Sequence, residues 1–186
     1  MTKTHNRTRA LVEAAIMIAL AQLLSYLTVY RFPYGGSVDA AMLPIIIFAV
    51  RWGAGWGTLA GFCFGLLQYF LGNGIAISWL SLLGDYAIAF AVLGVAGLFR
   101  GKKLGLIWGC LVGSLARFIV HWVVGATVWG EYMPETFWNM EMTNTWVYSA
   151  MYNIGYMFFC CVIVTVISAV FLKVMPKYMR AEDIKK

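Results

Sequence analysis

Polar residues in this chain interrupt long apolar runs rather than alternate with them. Six runs emerge, at about 8–30, 40–51, 54–71, 77–99, 104–129 and 145–174. A helix needs about 20 apolar residues to cross a bilayer, and all the runs but one come near that length. The run at 40–51 is short, with Pro44 near its start; it predicts a tilted or partly buried helix. The alternation of about ten residues that marks barrel strands does not occur.

The breaks between runs carry turn chemistry. Pro33 and Gly35-Gly36 make 31–39 a loop, and Gly72-Asn73-Gly74 reads as a turn. Arg100-Gly101-Lys102-Lys103 is a tight basic loop, and 130–144 is longer and holds Glu131, Glu135 and Glu141. Thr143 or Asn144 suits the N-cap of the last helix. Residues 1–9 read as a short polar tail leading into a retained first span, because no small-residue cleavage site follows. Gly57, Gly61 and Gly65 give the third span a smooth face for a close neighbour. Ala15 and Ala19 make a small stripe on the first, which suits either internal packing or docking to another membrane subunit.

Composition agrees with this pattern. Of 186 residues, 62% are hydrophobic and 12% charged, and the mean hydropathy is +0.78. A soluble domain carries about 25% charged residues. The chain therefore reads as an all-α membrane protein, one domain over 1–186, with six transmembrane helices. The net charge of +6 does not point to nucleic acid, because twelve of the fourteen Lys and Arg flank the runs on one side. That bias places both termini in the cytoplasm. Arg51 and Trp52 then end the second run at an interface. Cys63, Cys110, Cys160 and Cys161 lie inside apolar runs without metal spacing. They read as buried hydrophobes, and neither metal nor cofactor is expected.

Asp85, Arg117 and His121 are charged or titratable groups deep within runs, where charge is costly and faces a cavity, a partner or a substrate. Asp85 and His121 each lie roughly 12 Å below the outer end of their spans, at 1.5 Å per residue. Trp129, Tyr148 and Asn153 fall in the same outer half. Arg117 and His121 are four apart and share a face. One carboxylate with aromatic walls suits a small, flat, nitrogen-rich cation. An internal Asp85–Arg117 ion pair is the structural alternative. Tyr34 suits a lid or an interfacial anchor, Tyr86 adjoins Asp85, and Phe64 shares a face with Gln68.

The segments GGSVDAAMLPI (35–45), LLGDYAIAFAVLGVAG (82–97), GSLARFIVHWVVGATVWGEY (113–132) and TWVYSAMYN (145–153) resemble the thiamine transporter family, the thiamine-specific S-components of energy-coupling factor (ECF) transporters. The R-x-x-x-H-x7-W spacing followed by W-x-Y-x4-N carries most of the likeness. The resemblance implies a six-helix bundle in the plasma membrane that binds thiamine near its outer face. It implies that Asp85 pairs with the ligand's amino-pyrimidine or its positive charge, and that His121 and Trp129 sandwich the pyrimidine. Arg117 would lie near the floor, Tyr148 and Asn153 would supply hydrogen bonds, and Tyr34 would cover the site, with Tyr86 and Phe64 completing the walls. It also implies a transmembrane coupling subunit, contacted through Ala15 and Ala19, and two ATPase subunits. The chain itself has no P-loop. A binder or solitary carrier of another flat vitamin is the alternative, and an intramembrane enzyme is disfavoured by the lone carboxylate and the lack of HExxH or GxSxG.

Overall fold

The computed structural model describes residues 3–72 and 74–184, with side chains from Asn6 onward. Asn73 of the expected turn, residues 1–2 of the expected tail and the final two lysines lie outside the described residues. The chain is a helical bundle. Among the described residues, five helices are long and apolar enough to cross a membrane, and a shorter apolar one is buried among them.

Helix α1 (Lys3–Tyr26) takes in the residues expected as a polar tail. Arg and Lys are good helix formers, and Arg9 gains a carboxylate partner in Asp183. The helix also ends earlier than its apolar run. β-Branched Thr28 and Val29 suit extended backbone, Val29 N–H bonds the Val38 carbonyl at 2.9 Å, and β1 (Tyr30–Arg31) pairs antiparallel with β2 (Ser37–Val38).

Helix α2 (Met42–Trp52) is apolar on every side because every side is covered: Met42 through Arg51 are all buried. Eleven residues rise only about 16 Å, too little to cross a bilayer core of about 30 Å. Pro44 falls in the first turn, where a missing N–H is harmless. Helix α3 (Ala54–Leu71) turns its glycines to the next long helix. A Cβ at Gly61 or Gly65 would run into the backbone carbonyls of Phe90 and Tyr86.

Helix α4 (Trp79–Phe99) is irregular. Leu82–Ile88 forms a π-helical stretch, in which Ala89 N–H reaches back to the Gly84 carbonyl, and Val92–Phe99 tightens to 3₁₀ geometry. Helix α5 (Gly105–Thr127) follows the basic loop. A small hairpin of β3 (Thr136–Phe137) and β4 (Met140–Glu141) then leads to α6 (Thr145–Val174). Asn144 caps α6, its Oδ1 accepting from the N–H groups of Trp146 and Val147 at 2.8 and 3.4 Å.

After α6 the chain hooks back through α7 (Pro176–Met179) and a 3₁₀ turn, Glu182–Ile184. The hook corrects the expectation that Arg51 ends its helix at an interface. Arg51 is fully buried. Its guanidinium donates to both Glu13 carboxylate oxygens, to the Tyr178 carbonyl and to Asp183 at 2.9 and 3.1 Å. It also stacks 3.4 Å from the Tyr178 ring centroid. Two carboxylates and a carbonyl replace the water that a buried cation loses. Burial alone would raise the Asp183 pKa, but hydrogen bonds and charge from Arg51 bring it below the usual carboxylate value.

Candidate functional site

At the end of the bundle opposite Arg51, the helix ends and loop 27–39 enclose a cavity of about 210 Å³. Its chemistry centres on Asp85. The π stretch adds a residue to the turn that carries Asp85, and such insertions recur at functional sites. Asp85 Oδ1 bonds His121 Nδ1 at 3.0 Å, while Oδ2 accepts from Trp129 Nε1 at 2.8 Å and Ser81 Oγ at 3.2 Å. The carboxylate is thus aimed by donors from two helices and from the turn after α5.

Arg117 does not pair with Asp85. Its Nε donates to His121 Nε2 at 3.3 Å, and its guanidinium lies 4.2 Å over the Phe90 ring. Because Arg is always a donor, that bond assigns the lone pair of His121 to Nε2. The ring proton then sits on Nδ1 and is donated to Asp85. Arg117, His121 and Asp85 therefore form one directed chain, which replaces the simple ion pair considered above.

Aromatic rings wall the cavity. Tyr34, Trp129 and Tyr132 pack as a triangle with centroid separations of 6.5, 6.3 and 5.8 Å. Tyr34 holds a left-handed φ of 62° at the tip of the loop and is half exposed. The loop is tied down by Tyr152, whose hydroxyl donates to the Pro33 carbonyl and accepts from Gly36 N–H at 3.1 Å. Tyr86 is pinned in the same manner, donating to the Ile75 carbonyl at 3.2 Å and accepting from its N–H at 2.7 Å. Asn153 is buried and internally satisfied. Its Nδ2 donates to the Ser149 carbonyl at 2.8 Å, and its Oδ1 accepts from Tyr156 Oη at 2.8 Å.

Tyr34, Asp85, Tyr86, Arg117, His121, Trp129, Tyr148 and Asn153 all line this cavity. Phe64 does not: it is fully buried behind the wall, edge-on to Phe90 at 4.6 Å. The shared face with Gln68 misled here, because the glycine side of α3 turns Phe64 into the α4 seam and leaves Gln68 at the cavity. Tyr132, Tyr152 and Tyr156 also line the cavity, beyond the residues named from the sequence. The spacing Tyr148, Tyr152, Tyr156 puts one face of a helix in phase, a signal available in the sequence. Ala15 and Ala19 lie away from the cavity, exposed on the outer face of α1 beside Leu11, Val12 and Ile16.

Residues 11–180 match the protein family described as Thiamine transporter protein (Thia_YuaJ). The thiamine transporter ThiT of Bacillus subtilis (strain 168) is 31% identical over 187 residues, covering 92% of this chain and 94% of that protein. The thiamine transporter ThiT of Lacticaseibacillus paracasei is 30% identical over 195 residues, covering 96% and 94%. A solved structure of ThiT from Listeria monocytogenes superposes with a TM-score of 0.80 at 22% identity, over 93% of this chain and 98% of that one. That last likeness is one of fold.

Proposed function

The chain belongs to the thiamine transporter family, and from that footing we propose how its cavity captures thiamine. It is a thiamine-binding subunit of a transporter, a multi-pass protein of the cell membrane. Transport rather than catalysis is its role. The observation that carries the reading is Asp85, a carboxylate fixed by His121 and Trp129 inside an aromatic-walled cavity.

Thiamine joins an amino-pyrimidine to a cationic thiazolium. Asp85 attracts the cation or receives the amino group, and its charge is worth more in a low-dielectric pocket than in water. Tyr34 and Tyr132, beside Trp129, offer π faces to the thiazolium. His121 and Trp129 flank the pyrimidine, and Tyr148 supplies a hydrogen bond. Arg117 acts from behind His121 by fixing its tautomer, and Asn153 by holding Tyr156. The loop tip at Tyr34 covers the bound ligand.

The membrane arrangement is six helices with both termini cytoplasmic, supported by the basic residues clustered at the Arg51 end. The cavity then opens to the outside. The subunit does not drive transport itself. It is the S-component of an ECF transporter and docks to a transmembrane coupling subunit through Ala15 and Ala19, which are exposed on α1. Two ATPase subunits supply the energy.

The test is uptake into liposomes. The chain alone should bind labelled thiamine without accumulating it, and accumulation should require the coupling subunit, the ATPases and ATP. Accumulation by the chain alone would contradict the S-component reading and favour a solitary carrier.

A further inference from the structure

Most polar groups facing the cavity are spent on the protein itself. The hydroxyls of Ser25 and Thr28 donate to the carbonyls of Gln22 and Ser25 at 2.7 and 2.9 Å. Tyr86 is engaged with Ile75, Tyr152 with the loop, and Tyr156 with Asn153. Two amides stand apart. Gln68 lines the cavity, and among the described residues its buried Oε1 has no hydrogen-bond partner. Gln22 is 7% exposed, and neither Nε2 nor Oε1 has a partner among the described residues.

These amides lie on adjoining helices, Gln68 at the cavity and Gln22 behind its lining. Helices α1 and α3 are joined at their ends by the bond from Tyr26 Oη to the Leu71 carbonyl, 2.9 Å. Gln22 lies one turn before Tyr26, and Gln68 about one turn before Leu71, so they share a level. Gln22 stands just beneath the cavity-lining Ser25. Gly72 makes room for the Gln68 amide, since a Cβ there would lie 2.8 Å from Oε1. Gly65, three residues before Gln68, abuts the Tyr86 backbone. Gln68 therefore borders the Asp85–Tyr86 wall. A buried unpartnered amide is unfavourable and calls for an explanation; three such atoms at one level beside a binding cavity point to an external partner.

We propose that Gln68 and Gln22 form a hydroxyl-recognition subsite on the α1–α3 wall, which receives the hydroxyethyl arm of thiamine. The inference rests on the thiamine reading above and deepens it. The arm is attached to the thiazolium, so a cation drawn to Asp85 carries its hydroxyl to the adjoining wall. The hydroxyl donates to Gln68 Oε1 and accepts from Gln22 Nε2, directly or through one water. A neutral amide pair suits a neutral alcohol, which both donates and accepts. A site built to bond a hydroxyl discriminates strongly against a ligand that lacks it, because its amides are then left unpaired.

The test compares thiamine with its deshydroxy analogue, in which ethyl replaces hydroxyethyl, by calorimetric titration of the purified full chain. Wild type should prefer thiamine by at least tenfold. Gln68→Leu and Gln22→Leu should each cut that preference to under threefold by weakening thiamine, with the ethyl analogue held within threefold of its wild-type affinity. Gln68→Leu, at the cavity wall, keeps the test standing should the more buried Gln22→Leu fail to fold. Variants that keep the full preference, or lose both compounds equally, would overturn the subsite. A wild type that binds both compounds tightly and equally would overturn the subsite alone. A wild type that binds neither would overturn the thiamine reading and the subsite with it.

Discussion

Asp85 is held by three donors before any ligand arrives, so its carboxylate is aimed rather than merely present. Asp85→Asn keeps the shape and removes the charge. It should weaken thiamine at least tenfold, about 1.4 kcal/mol, and lower the melting temperature somewhat, since the amide nitrogen cannot accept from the donors that hold the carboxylate; wild-type affinity by calorimetry would refute the assignment. Tyr152→Phe removes both bonds to the Pro33–Gly36 loop. It should speed thiamine release several-fold, and an unchanged dissociation rate in stopped-flow fluorescence would show that those bonds do not hold the lid. Asp85, His121 and Arg117 were legible in the sequence because charge inside an apolar run is rare and has few explanations. Tyr132 was not, because a tyrosine near a helix end also serves as an ordinary interfacial anchor, whereas Tyr152 and Tyr156 follow Tyr148 at helical spacing and were legible only as a shared face. Phe64 was misplaced because a shared helix face does not say which of two neighbours that face meets.

Apolar runs gave the helices of the bundle, since length and hydropathy report directly on what a bilayer accepts. The π and 3₁₀ stretches of α4 stayed hidden: each shifts the helical period by a fraction of a residue over one or two turns, too little to disturb an almost wholly apolar run. The two-residue strands were hidden for a related reason, being too short to show alternation. The glycine face of α3 was visible, but its partner was not. Gly61→Val should be costly, because the new side chain meets the Phe90 carbonyl, which belongs to a helix backbone and cannot swing aside. Overpacking of this kind costs about 1–3 kcal/mol. A melting temperature within a degree of wild type would contradict the close α3–α4 seam.

The molecule is polarised along the bundle axis. One end holds the ligand cavity, and the other holds a buried cation clamped by α1 and the C-terminal hook. The clamp escaped the sequence reading because Glu13, Arg51 and Asp183 are distant in the chain and each alone looks like a boundary charge. Arg51→Ala would leave Glu13 without its cation and Asp183 with Arg9 alone, and removing one partner of a buried pair costs about 3–5 kcal/mol. A detergent-denaturation midpoint equal to wild type would contradict the clamp. The clamp also responds to acid. Asp183 titrates below its unfolded value in the fold, so its contribution is complete above about pH 4. It is lost as pH falls from there through the lowered pKa. Hydrogen exchange should show the hook loosening over that acid range, and Asp183→Asn should remove that pH dependence; a hook equally protected at pH 3 and pH 6 would contradict it.

In the proposed function a single carboxylate captures a single cationic vitamin at the end away from this clamp. The most direct test of that capture is calorimetric titration of the purified, ligand-stripped chain with thiamine, run side by side on wild type and Asp85→Asn. Saturation at one thiamine per chain in the submicromolar range, weakened at least tenfold by the substitution and unaffected by excess riboflavin, is the predicted result. No saturable binding by wild type, or equal binding by both proteins, would contradict it.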